Sequence, residues 1–228
     1  MGAGPGFATV TPTGVVLGNP VGTGTFLRQN GIVAASIMNN HQYDGGGGTA
    51  ERLRAGGVEA FGHVRLDVRG QFVTLFAHDL GEPDVPGAVM RELAGADGLR
   101  VESFHVTGPP SYLPTKALIA AVDAAVLGGA DIVVAHGTHV VGPVERRGQT
   151  VIAWGLGNLL FDCECTQVTE AMILKVSLGA GHPAEVLPIQ AGLGGAGALR
   201  SPDPLGVLGV VNALGGTGMV VEGGRGKF

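Results

Sequence analysis

Four of the seven histidines in this chain follow short apolar runs. Residues 32–38 (IVAASIM) lead into Asn39-Asn40-His41, with Asp44 shortly after; residues 101–104 end at His105; residues 132–135 end at His136, with His139 close behind. Near neutral pH an imidazole carries protons and ligates metals. Asn carbonyl and carboxylate oxygens suit harder divalent ions. Taken singly, each of these residues reads as a polar group satisfying a turn. Their recurrence at three strand ends points instead to one site, because an α/β sheet delivers the side chains at its strand carboxyl ends into a common crevice.

The elements that must position these groups follow from periodicity. The apolar runs at 32–38, 101–104 and 132–135 have the length and boundaries of buried strands. Thr49 can cap a helix to about Ala55, with Gly56-Gly57 as its stop. Residues 64–68 and 71–76 flank Arg69-Gly70 as a hairpin. Residues 86–94 read as a short helix. Residues 115–127 carry Ala117, Ala120, Ala121 and Ala124 at helical spacing and stop at Gly128-Gly129. Strands are expected at 151–156 and 171–178, with Arg146-Arg147-Gly148 as an exposed hairpin turn. From Gly192 onward the chain reads as loose and glycine-rich, closing on a strand at 218–221. Trp154 and Phe161 are expected in the core; His63, His78 and His182 are expected at the surface or in turns. This alternation predicts a single α/β sandwich after a Gly/Pro-rich segment, residues 1–25, that holds no charged side chain.

Composition narrows the class. The 228 residues include 42 glycines and 13 prolines, yet charge is low and mean hydropathy is +0.32, so the chain need not stay unfolded. With 14 basic and 19 acidic residues there is no basic excess to neutralise a phosphate backbone, which argues against nucleic acid. Residues 1–10 lack the positive cluster and apolar core of a signal peptide. The longest apolar stretch, 117–135, is broken by Asp123 and Asp131, so no membrane span is expected. As written the sequence reads as cytoplasmic; an export segment upstream would change that expectation.

Residues 36–62 (SIMNNHQYDGGGGTAERLRAGGVEAFG) resemble the Asn-Asn-His-x-x-Asp-x-Gly block of the poly-γ-glutamate capsule-synthesis (CapA-like) family, a branch of the calcineurin-like metallophosphoesterases. Residues 129–162 are similar to that family's Gly-His-His-Pro-His segment and the Leu-Gly-Asn-Phe run behind it. Phe104-His105 stands at its His-Trp-Gly motif, and residues 186–189 (VLPI) through 216–218 follow its closing pattern. The resemblance covers residues 26–225 and implies a metallophosphoesterase-like α/β/β/α sandwich over 26–228 that lacks the family's N-terminal strand. It implies a metal-dependent hydrolase of phosphoesterase type, linked to polymer or small-metabolite biosynthesis. A non-catalytic scaffold with a degenerate metal site, or a repurposed amide-forming or cyclising enzyme, is the alternative.

Carried over by position, the resemblance makes Asn40, His105 and His139 ligands of a divalent ion (Mn, Zn or Fe), and His136 a further ligand or a donor on the phosphate side. His41 becomes the proton donor to the leaving group, with Asp44 orienting it or bracing the glycine turn. Two departures bear on metal count. No acidic residue precedes Asp44, where the family carries an Asp-bearing strand and a Glu-bearing turn, and Gly137-Thr138 replaces its His-Pro. Two dications about 3.5–4 Å apart would then repel with little compensation, so one ion or none is expected. Cys163 and Cys165 read as ordinary cysteines beyond a strand end, although a thiolate there could replace a lost ligand or act as a nucleophile. The substrate is expected to be a small molecule or a polymer; the acidic balance does not favour a polyanion.

Overall fold

The computed structural model describes residues 7–11, 14–44, 47–160, 169–192, 199–215 and 219–227. Phe161, Cys163 and Cys165 lie outside them. Within the Gly/Pro-rich segment 1–25, β1 (Phe7–Thr11) and β2 (Gly14–Gly18) pair as an antiparallel hairpin. A small unit follows: α1 (Thr23–Gln29), β3 (Ala34–Ser36), α2 (Thr49–Ala55) and β4 (Glu59–Phe61). β3 and β4 are parallel, and Leu53, Val58 and Ala60 form their core with Leu27, Ala35 and Ile37. α2 spans the expected residues, but Gly48 in the left-handed region precedes it and Thr49 is its first residue, not its cap. α1 meets α2 backbone to backbone. A Cβ on Gly56 would lie 2.4 Å from the Gly24 carbonyl carbon, so only glycine allows the approach.

The central sheet is built from β5 (His63–Val68), β6 (Gln71–Asp79), β7 (Leu99–His105), β8 (Ile132–His136), β9 (Val144–Arg147) and β10 (Thr150–Ala153), with α3 (Val85–Ala94) and α4 (Lys116–Gly128) as crossovers. The order is β5-β6-β7-β8-β10-β9, with the four inner strands parallel and both edges antiparallel. Thr115 caps α4 by accepting from the Leu118 N–H at 3.2 Å. α3 and α4 cover one face, where Val89, Leu93, Leu118 and Val122 bury against Phe76, Phe104, Val133, Ile152 and Trp154. Each such side chain contributes about 1.5–3 kcal/mol through burial.

The other face packs on a second sheet. β11 (Glu170–Val176), β12 (Ala184–Gln190), β13 (Leu199–Arg200), β14 (Val220–Glu222) and β15 (Arg225–Lys227) form it in the order β11-β12-β15-β14, with β13 also on β12. Met172 and Val186 from this sheet meet Val144 and Ala153 from the first. Val207, Leu208 and Val211 of α5 (Pro204–Gly215) close the same core. The molecule is an α/β sandwich.

α5 corrects the expectation of a loose tail. Interior glycines cost about 1 kcal/mol each in helix propensity, but the buried apolar face outweighs them. The start signal was present: Asp203 Oδ1 accepts from the Gly206 N–H at 3.0 Å, directly ahead of Pro204. His78 is also corrected. It is buried at 7% exposure under α3, with Nε2 3.2 Å from Glu92 Oε2 and 3.7 Å from Glu102 Oε1. Arg146 and Arg147 belong to β9, and Gly148 (φ 61°) carries the turn. Among the described residues no helix is long and apolar enough to cross a membrane.

Candidate functional site

Three adjacent parallel strands end in the same register. Asp79 closes β6, His105 closes β7 and His136 closes β8; Asp79 pairs across to His105, and His105 to His136. The His105 and His136 rings lie 5.1 Å apart, tilted by 55°. Beyond His136 the chain turns through Gly137 (φ 81°) and Thr138 to His139, itself held at φ 59°. A non-glycine residue in that region is sparsely populated, and such conformations collect at functional sites. His139 Nδ1 lies 3.0 Å from Oδ1 of the buried Asn158.

The loop after β3 faces these strand ends. Asn39 is a turn residue: its Oδ1 accepts from the His41 N–H at 2.9 Å and its Nδ2 reaches the Ile37 carbonyl. Asn40 is exposed and turned to the cleft. His41 Nδ1 donates to Asp44 Oδ2 at 2.7 Å. Asn40, His41, His105, His136 and His139 all line one cleft of about 870 Å³, roofed by the β2–α1 turn and by α2. Asp44 stands behind His41, outside the lining, so all six expected site residues gather here. Asp79 and Asn158 were not expected. Asp79 could have been found as the polar end of the run 71–79; Asn158 stands in the Leu-Gly-Asn run at 156–158, whose resemblance to the family motif came with no role for it.

Among the described residues of the lining, Arg52 is the one permanently charged side chain and there is no carboxylate. Burial pushes the His136 imidazole down to about 4, aided by His105 and opposed by Asp79. Burial likewise lowers His105, against the pull of Asp79. Both rings are therefore neutral near pH 7 and keep a lone pair free for a ligand. Among the described residues no three His, Cys, Asp or Glu side chains already stand in metal-holding geometry. The donor chemistry suits an ion nonetheless: neutral imidazoles backed by a carboxylate or amide oxygen, beside an Asn carbonyl, favour a borderline divalent metal.

Gly137 explains one departure from the resembled motif. A Cβ there would lie 2.5 Å from the Val106 carbonyl oxygen and 2.6 Å from His105 Nε2. Only glycine fits over the imidazole edge in this chain.

Residues 83–163, which carry His105, His136, His139 and Asn158, match the family described as bacterial capsule synthesis protein PGA_cap. The match is confined to that stretch, roughly a third of the chain, and says what the chain is similar to there. Among curated relatives, a 64-residue stretch is 41% identical to the PGA biosynthesis protein CapA of Bacillus subtilis (strain 168); it covers 27% of this chain and 17% of that protein. A crystal structure of a hypothetical protein from Thermus thermophilus aligns over 91% of both chains at 13% identity and a TM-score of 0.44, a likeness too slight to build on.

Proposed function

We propose that the cleft is the active site of a metal-dependent hydrolase of phosphoesterase type serving capsule polymer or small-metabolite biosynthesis. The observation that carries this reading is the convergence of Asn40, His105, His136 and His139 in one cleft with an Asp-backed imidazole, His41, on its rim. Asn40 and the three histidines would hold the ion, which when bound polarises a phosphoryl oxygen and lowers the pKa of bound water. His41 supplies the proton to the departing oxygen, and Asp44 holds the ring in place for that transfer.

The lining narrows the substrate. Arg52 offers one guanidinium, and Leu17, Val21, Leu159 and Leu160 offer apolar surface. That combination suits a compact anionic group on an apolar body better than a polyanionic polymer, which would need a row of cations. The test is hydrolysis of nitrophenyl phosphate mono- and diesters by protein stripped with chelator and reloaded with Mn²⁺, Zn²⁺ or Fe²⁺. Metal-dependent turnover lost in His139→Ala supports the reading. Full occupancy by metal without turnover of any ester would favour a non-catalytic scaffold.

A further inference from the structure

Two of the four cleft histidines have Nδ1 hydrogen-bonded to a side-chain oxygen, and a third has a carboxylate oxygen close to its Nδ1. His41 Nδ1 meets Asp44 Oδ2 at 2.7 Å, His105 Nδ1 meets Asp79 Oδ2 at 3.3 Å, and His139 Nδ1 meets Asn158 Oδ1 at 3.0 Å. We infer that Asp79 and Asn158 are positioning residues that hold His105 and His139 as Nδ1–H tautomers, so that both present the Nε2 lone pair to the cleft.

The chemistry of the partners dictates the tautomer. An ionised carboxylate only accepts, and so does an amide oxygen, so the ring nitrogen facing either must carry hydrogen. A neutral imidazole has one N–H, which leaves Nε2 unprotonated. His105 Nδ1 is buried and makes no hydrogen bond of full geometry, so the Asp79 carboxylate is the acceptor within its reach. Asp79 is itself anchored. Its side chain is 10% exposed, its Oδ1 accepts from the Gly81 N–H at 2.8 Å, and the Leu80 N–H donates to the His105 carbonyl at 3.0 Å. The second oxygen is thereby aimed at the ring. Gly137 completes the arrangement, since its bare Cα lies beside Nε2 where a Cβ would stand 2.6 Å away. Carboxylate or amide oxygens behind histidine ligands fix their orientation and raise their basicity, and losing one typically lowers metal affinity about 10–100-fold.

This inference rests on the metal-site reading for its purpose, but its test needs neither substrate nor turnover. Two-bond ¹H–¹⁵N correlation spectra of metal-free protein at about pH 8.5, above the imidazole range, report each tautomer directly. His105 and His139 are expected as Nδ1–H. In Asp79→Asn the amide oxygen keeps the Gly81 N–H and the amide NH₂ turns to Nδ1, so His105 should convert to Nε2–H while His139 stays unchanged. Zn²⁺ affinity by calorimetry should fall about 10–100-fold in the same variant. A merely structural Asp79 would change stability and leave the tautomer alone. Wild-type His105 or His139 found as Nε2–H overturns the inference, as does a His105 tautomer unmoved by Asp79→Asn. If that variant fails to fold, the wild-type spectrum decides. Absence of esterase activity would sink the hydrolase proposal and leave this one standing.

Discussion

Asp44 reaches back 27 residues to Leu17: its Oδ2 accepts the Leu17 N–H at 2.8 Å. The same oxygen takes the His41 Nδ1 proton at 2.7 Å, so one atom ties the β1–β2 hairpin to the ring proposed as proton donor. Burial opposes ionisation of this carboxyl, but the hydrogen bonds from Leu17 and His41 outweigh it and hold it below its ordinary value. A depressed carboxylate stabilises the fold above its unfolded pKa and loses that contribution as pH falls through the folded one. The hairpin and the 39–44 loop should therefore loosen together in acid.

His41→Ala should lower turnover about 10²–10⁴-fold, the usual contribution of a general acid. The loss should shrink for a nitrophenolate leaving group, which needs no proton. Metal content should barely move. Steady-state kinetics on esters of graded leaving-group pKa, beside elemental analysis, check all three statements.

His139→Ala should lose the ion that His41→Ala retains. Reloaded wild type should hold at most one tightly bound equivalent, because no carboxylate lines the cleft among the described residues. Elemental analysis after chelation and reloading decides. Two tight equivalents would mean that a carboxylate elsewhere in the chain completes a binuclear site.

Gly137→Ala should be costly although it adds one methyl group. The position sits at φ 81°, and the new Cβ would meet the Val106 carbonyl oxygen at 2.5 Å. We expect about 1–3 kcal/mol of lost stability, together with weaker metal binding as the His105 ring is displaced. Urea unfolding and Zn²⁺ titration read the two effects separately; an unchanged midpoint would refute the close approach.

Glu102→Gln should stabilise the protein in a pH-dependent manner. Glu102 is fully buried on β7, facing His78 from β6 and Glu92 from α3. Burial, reinforced by the Glu92 charge and opposed by the Ser103 N–H, pushes its pKa from 4.5 up to about 9. The folded state then keeps a proton that the unfolded chain releases. Stability is complete below the unfolded pKa and declines by about 1.4 kcal/mol per pH unit as pH rises toward the folded one. The glutamine variant escapes that decline. It should match wild type near pH 4.5 and become increasingly the more stable of the two as pH rises toward 8. Parallel stability–pH curves for the two proteins would contradict this.

Local pattern was enough for His105 and His136. Each ends an apolar run, and a parallel strand that starts in the core must end at the same edge as its neighbours, so their meeting follows from strand direction and register. It was enough, too, for α2 and for the hairpin at Arg69-Gly70, whose signals lie within a few residues. Other features were decided only by packing. A polar residue on a strand faces core or solvent according to what covers that side, and α3 covers the side bearing His78 and Glu102. α5 forms because Val207, Leu208 and Val211 find two sheets to bury against, which outweighs the glycines that argue against it. Asn158 serves His139 from 19 residues away, and Asp79 serves His105 across a strand pair. The residue types that could do chemistry were legible along the chain. Which oxygen backs which imidazole is a distance between segments far apart in sequence, and folding alone sets it.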